Sequence, residues 1–130
     1  MVTKLTLRCC SGCVIAVASM VTPAQAEDAD VTTAEARRAF VEGARHVEEA
    51  RWAEALDRFE ESARLRPHAV TSYNVAACHR ALGAYTQARR RYAEALRLSD
   101  AEPAGAPLPA PVRSEIEGLA LRQSIENGDL

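Results

Sequence analysis

The sequence predicts an all-α fold, a helical-hairpin solenoid in which two similar units stack and a C-terminal helix covers the second. Three observations support this prediction. Residues 37–65 match residues 70–98 at a fixed offset of 33 positions, apolar residues recur at helical spacing, and proline or glycine falls where helices should end. A hairpin of this size cannot bury its apolar face alone, so its units are expected to stack.

The repeated positions keep their chemistry, with small residues matching small ones and aromatic residues matching aromatic ones. The pairs are Phe40–Tyr73, Gly43–Ala76, Ala44–Ala77, His46–His79, Trp52–Tyr85, Ala55–Ala88, Phe59–Tyr92 and Leu65–Leu98. Small residues let two helix backbones approach closely, and the large residues fill the space around the contact. The pattern divides residues 27–100 into two repeats of about 36–68 and 69–100.

The first 26 residues predict a secretory signal peptide. Lys4 and Arg8 precede the apolar run 9–21, and a small-x-small site follows, with cleavage expected after Ala26. The run is too short for a membrane span, which needs about 20 residues. The alternatives are an uncleaved anchor helix and a lipoprotein linked through Cys13, although a lipobox needs its apolar run before the cysteine rather than after it.

The composition of the exported chain argues against a disulfide-stabilised protein and against a nucleic-acid-binding protein. Cleavage would leave Cys78 as the only one of four cysteines, so no internal disulfide is available and a buried, unreactive Cys78 is expected. The whole chain has a net charge of −2, and this acidic balance with export argues against nucleic-acid binding. No membrane span is expected after cleavage.

The first repeat predicts two helices. Thr32 and Glu35 form a capping-box pattern, which predicts that the first helix begins there and runs to about Glu48. A short turn near residues 50–51 leads to a second helix at 52–66. Pro67 ends this helix because it disfavours helical geometry in the residue before it.

The second repeat predicts a third helix at about 68–82, ended by Gly83, and a fourth at about 85–98. A Pro/Ala-rich linker follows at 101–110, with no pattern that would form a core. Residues 111–130 then predict a capping helix and tail. The helix spans about 111–124 and packs on the fourth helix through an apolar stripe formed by Val112, Ile116, Leu119 and Ala120.

The spaced anchors resemble those of the tetratricopeptide repeat (TPR) family. The first unit carries Gly43, His46, Trp52, Ala55, Phe59, Ser62 and Pro67, and the second carries Ala76, His79, Tyr85, Ala88, Tyr92 and Ala95. The stretch 73–83 is similar to helix A of the second repeat in small secreted TPR proteins. The resemblance covers about residues 33–100. The chain departs from the family in its period of 33 rather than 34 residues, and in the histidine that replaces a tyrosine in both units.

The resemblance implies a peptide-binding groove formed mainly by helix A of each repeat. The matching positions are Arg37, Phe40, Val41, Ala44, Val47 and Glu48 in the first repeat and Val70, Tyr73, Asn74, Ala77, Arg80 and Ala81 in the second. Asn74 matches a family asparagine that contacts ligand backbone, and an amide that donates and accepts suits an extended peptide. An alternative for Asn74 is a hydrogen bond between adjacent helices.

No arrangement of residues predicts catalysis. The chain lacks a nucleophile elbow, a phosphate-binding glycine loop and a cysteine pair at metal spacing, so no enzyme activity, metal or cofactor is expected. His46 and His79 occupy the same repeat position. They are interpreted as packing groups rather than as a shared metal or proton site.

The leading hypothesis is a non-catalytic adaptor in the periplasm of a Gram-negative bacterium, binding a peptide or helix of another envelope protein. A second hypothesis is a structural module that forms a homo-oligomer, because two repeats leave apolar surface for a second copy to cover. A third is an accessory fragment of a larger envelope protein.

Overall fold

A computed structural model of the chain describes residues 23–101, 107–126 and 128, and these residues form five α-helices and no strand. The helices are α1 (Pro23–Glu48), α2 (Trp52–Leu65), α3 (Ala69–Ala81), α4 (Tyr85–Ala101) and α5 (Ala110–Glu126). The predicted all-α class is confirmed. The bounds of α2 and α3 fall within a residue of those predicted, and α4 continues three residues further. None of the helices described is long and apolar enough to cross a bilayer.

Consecutive helices pack against each other along the chain. Turns of three residues join α1 to α2, α2 to α3 and α3 to α4, and each of these pairs is in direct contact. Short connections of this kind place neighbouring helices side by side as hairpins. This repeat-like packing is compatible with a helical solenoid.

Both hairpins turn through the same hydrogen-bonded motif. After α1, the amide of Ala50 donates to the carbonyl of Val47 and that of Arg51 to the carbonyl of His46. After α3, Gly83 donates to Arg80 and Ala84 to His79. These bonds form a Schellman motif with a left-handed residue at its centre, here Ala50 (φ 57°) and Gly83 (φ 77°). The two motifs lie 33 positions apart, so the offset found in the sequence also holds in the backbone.

The start of the first helix differs from the prediction. α1 begins at Pro23, upstream of the predicted cleavage position, and Thr32 lies within it. The Thr32 hydroxyl donates to the carbonyl of Asp28 at 2.9 Å, and that of Thr33 to the carbonyl of Ala29 at 2.8 Å. The predicted capping box is therefore wrong, because both hydroxyls bond backward within a continuing helix. Most of the predicted signal peptide, residues 1–22, lies outside the described residues.

Two apolar clusters hold the helices together. The first joins α1, α2 and α3, with Ala55, Phe59, Val75 and Cys78 buried at its centre and the Phe40 ring 5.3 Å from that of Phe59. The second joins α3, α4 and the C-terminal segment, and its buried members are Ala69, Ala76, Ala88, Tyr92, Ala95, Leu108 and Ile116. Alanine predominates in the second cluster, so the tyrosines and the C-terminal residues supply most of its bulk.

The segment after α4 contributes to this core, which corrects the prediction of a linker without core residues. Leu108 is buried, and its amide donates to the Ser99 hydroxyl at 3.1 Å. Arg113 donates to the same hydroxyl at 3.0 Å and to Asp100 at 2.8 Å. Ser99 is itself buried, and its oxygen can accept two hydrogen bonds. These contacts hold the start of α5 against the end of α4.

The predicted C-terminal helix is present and packed. Ile116 is almost completely buried in the second cluster, while Val112 and Leu119 are half-buried against it. Ala120, the fourth member of the predicted stripe, is exposed. Ile116 contributes about 1.5–3 kcal/mol by leaving water, before the cost of ordering the helix.

Candidate functional site

Some of the predicted groove residues line two separate clefts. The first, of about 280 Å³, is lined by Arg37, Phe40 and Val70 together with Arg66 and His68.

The second cleft, of about 330 Å³, is lined by Tyr73, Ala77, Arg80 and Ala81 together with Trp52, Tyr85, Tyr92 and Glu115. It is built by the start of α2, by residues 73–81 of α3, by α4 and by one residue of α5. Arg37 and Phe40 of the first repeat therefore line one cleft, and Tyr73, Ala77, Arg80 and Ala81 of the second repeat line the other. Val70, although it belongs to the second repeat, lines the first cleft.

The other predicted groove residues line neither cleft. Val41 and Glu48 are exposed on α1, whereas Ala44 and Val47 are half-buried and pack around the first cluster. Asn74 donates its amide to the carbonyl of Val70, one turn earlier in α3, at 2.9 Å. The suggested bond from Asn74 to an adjacent helix is therefore wrong, and contact between its amide and a ligand stays a prediction.

The second cleft contains a polar cluster of Tyr73, Arg80, Tyr92 and Glu115, called here the tyrosine–arginine cluster. The Tyr73 hydroxyl donates to Glu115 Oε2 at 3.1 Å, and Arg80 Nη1 lies 3.6 Å from Glu115 Oε1. The Tyr73 and Tyr92 rings meet at 5.7 Å with a 53° tilt. A neutral donor and a cation thus both contact one carboxylate, beside two aromatic rings.

The cluster keeps both phenols protonated. Burial raises the pKa of Tyr73, and the negative charge of Glu115 raises it further. Burial also raises the pKa of Tyr92, although the neighbouring Arg80 guanidinium opposes this effect. Both hydroxyls therefore remain available as hydrogen-bond donors near neutral pH. This arrangement binds a carboxylate and presents no activated nucleophile.

Glu115 is the residue of this cluster that the sequence does not identify. Its position against α3 depends on how α5 packs back on the second repeat, and nothing local to α5 reveals that packing. Its neighbour Ile116 does carry a signal, because it lies in the predicted apolar stripe. Since residue 115 lies three positions after Val112 and four before Leu119, both in that stripe, its side chain is expected near the edge of the same contact.

The three histidines lie beside backbone or carboxylate groups of the protein itself. His68 caps α3, because its Nδ1 accepts from the amide of Val70 at 3.2 Å; the sequence alone does not predict this role. His79 Nε2 lies 3.8 Å from Glu60 and His46 Nδ1 lies 3.8 Å from Glu49, both too far for a direct hydrogen bond. Within the described part of the chain, no group of three or more His, Cys, Asp or Glu side chains is placed to hold a metal ion.

Comparison of the chain with protein-family models, with curated proteins and with solved structures gave no match.

Proposed function

We propose that this protein is an exported, non-catalytic TPR-like adaptor that binds a peptide or helix of another envelope protein. The observation that carries the proposal is the docking of α5 on the second repeat. There, Ile116 is inserted between helices while Glu115 meets Tyr73 and Arg80. A helix that presents an aliphatic residue beside a carboxylate is therefore a ligand that this repeat surface accommodates.

The first cleft offers similar chemistry to an outside ligand. Phe40 matches Tyr73 in the repeat, and Arg37 and Arg66 place positive charge at the cleft in the way that Arg80 does in the second repeat. Neither Arg37 nor Arg66 forms an ion pair among the described residues. An acidic, aliphatic segment of a partner protein would supply both the missing carboxylate and an apolar contact for Phe40.

Affinity capture from envelope extract tests the proposal with matched charge reversals on α1. The full-length tagged chain should recover a partner, and Arg37→Glu should weaken recovery because it reverses a charge that lines the cleft. Arg38→Glu makes the same change on an exposed neighbour outside the cleft and should leave recovery intact. Equal recovery by the two variants would place binding elsewhere.

A second candidate, a self-associating structural module, is favoured by exposed apolar side chains. Val31 and Val41 on α1 are 57% and 61% exposed, and Leu121 and Ile125 on α5 are 55% and 62% exposed. Burying such residues against a second copy would be favourable. Sedimentation equilibrium decides between the candidates, since a monomer at high micromolar concentration rules out the structural module.

A further inference from the structure

A third cleft, of about 550 Å³, lies between α4 and α5 and is larger than the two described above. Its apolar wall combines the buried side chains of Ala88, Tyr92 and Ile116 with half-buried Leu96 and Leu119. Such a volume and lining are typical of sites for small apolar molecules, which span roughly 300–1,000 Å³.

The polar residues of this cleft are mostly cationic. Three arginines, Arg80, Arg89 and Arg122, line it against one carboxylate, Glu126. Arg80 is already close to Glu115, at 3.6 Å. Arg89 and Arg122 form no ion pair among the described residues. The cleft therefore joins an apolar wall to an excess of positive charge.

The cleft has room to enclose only a short piece of a helical ligand. A helix about 10 Å in diameter fills roughly 420 Å³ per turn of about 5.4 Å, so 550 Å³ would hold little more than one turn.

An extended peptide fits poorly for a different reason. Its amides and carbonyls would need partners, while the deep wall is lined by alanine, leucine and isoleucine side chains and by the buried Tyr92. An alkyl chain carries no such groups and makes only apolar contacts.

We propose that the cleft between α4 and α5 binds a single-chain amphiphile with an anionic headgroup, such as a long-chain fatty acid. The alkyl chain lies against Ala88, Tyr92 and Ile116. The headgroup is held by Arg89 and Arg122, one from each wall. This site shares Arg80, Tyr85 and Tyr92 with the second cleft but no residue with the first cleft, where the partner of the proposed adaptor would bind, so either assignment stands without the other.

Isothermal titration of the full-length chain with dodecanoate at pH 8 tests the proposal. We expect one equivalent to bind. Butyrate, which has the same headgroup on a short chain, and dodecyltrimethylammonium, which has the same chain length with a cationic headgroup, should bind at least about tenfold more weakly. Failure of dodecanoate to bind, or equal binding of the cationic amphiphile, would overturn the assignment.

Arginine variants test the headgroup site. Each exposed ion pair should contribute about two- to fivefold in affinity, so Arg89→Gln with Arg122→Gln should weaken dodecanoate binding about four- to twenty-fivefold. Arg90→Gln, an exposed neighbour on α4 that does not line the cleft, should change the affinity less than twofold. Equal losses in the double variant and in Arg90→Gln would contradict the assigned site.

Filling variants test the apolar site without removing charge. Ala93 and Ala120 are exposed alanines on opposite walls of the cleft, so a phenylalanine at either position can enter the cleft without disturbing buried residues. Ala93→Phe and Ala120→Phe should each abolish dodecanoate binding while leaving the melting temperature unchanged. Because the two variants lie on different helices, one of them still tests the proposal if the other fails to fold. Undiminished binding by a folded variant would refute the proposal.

Discussion

Gly43 and Gly118 lie inside helices, yet the same substitution by alanine is expected to have opposite effects on them. A Cβ atom at Gly43 would lie 2.8 Å from both Cδ1 and Cε1 of Phe59, closer than side chains pack in proteins. A Cβ atom at Gly118 would meet nothing within 4 Å. The two positions therefore gain the same helix propensity but differ in packing.

The magnitudes follow from these contacts. Replacing a helical glycine by alanine stabilises by about 1 kcal/mol when space is free, so Gly118→Ala should raise the free energy of unfolding by that amount. At Gly43 the same gain is opposed by overpacking against Phe59, which costs about 1–3 kcal/mol because the ring is buried and held by Phe40. The net effect at Gly43 is a loss of about 0–2 kcal/mol.

Urea unfolding followed by circular dichroism gives both numbers. The difference between the two variants removes the shared propensity gain and isolates the Phe59 contact, for which we expect about 1–3 kcal/mol. Each kcal/mol of this difference corresponds to a shift of about 4–8 °C in the melting temperature of a domain of this size. Adding Phe59→Leu to Gly43→Ala should recover part of the overpacking, because leucine has no atom at the Cε1 position.

The result that would refute this reasoning is a stabilisation of Gly43→Ala equal to that of Gly118→Ala. It would mean that α1 and α2 separate freely. The test is fair because the second repeat accommodates an alanine at the equivalent position. Ala76 corresponds to Gly43 and is completely buried beside α4.

Three further predictions concern single residues. Ala50→Gly should stabilise by about 0.5–1 kcal/mol and Gly83→Ala should destabilise by about 1 kcal/mol, because both residues adopt positive φ; equal and negligible effects in urea unfolding would contradict this. Ile116→Ala should lower the free energy of unfolding by about 2–4 kcal/mol with little loss of helical signal, and an unchanged melt would show that α5 is loose. Burial raises the pKa of Cys78 to about 11, so its thiol should resist Ellman's reagent at pH 8 until the chain unfolds. Since the unfolded chain loses this proton first, from a pKa near 9, stability should fall between pH 9 and 11, and Cys78→Ala should lack that part of the fall.

The sequence predicted the middle of the fold well because its signals there are local and agree with one another. Pro67 and Gly83 fix where α2 and α3 end, and the aromatic residues repeat at a constant offset. The start of α1 could not be predicted in the same way. A threonine hydroxyl can cap a helix that begins beside it or bond to the carbonyl four residues back, and only the conformation of the preceding residues decides between the two.

The candidate sites were harder to predict because they depend on contacts between distant residues. Leu108 lies in a Pro/Ala segment with no apolar period, yet it is buried in the second cluster, where Ser99 accepts its amide hydrogen. Glu115 meets Tyr73 only after the chain has crossed that segment. The repeat offset places residues within the two hairpins, but it contains no information about where a non-repeating helix returns.

The bond between Tyr73 and Glu115 also bears on how the protein is made. The two residues are 42 positions apart, which at about 5–20 residues per second amounts to roughly 2–8 s of synthesis. In the last part of that interval, after α4 has been completed at Ala101 and before Glu115 is added, the second hairpin exists without α5, and Tyr73 and Tyr92 face water. Any factor that acts on the growing chain therefore meets an apolar surface that the completed protein has covered.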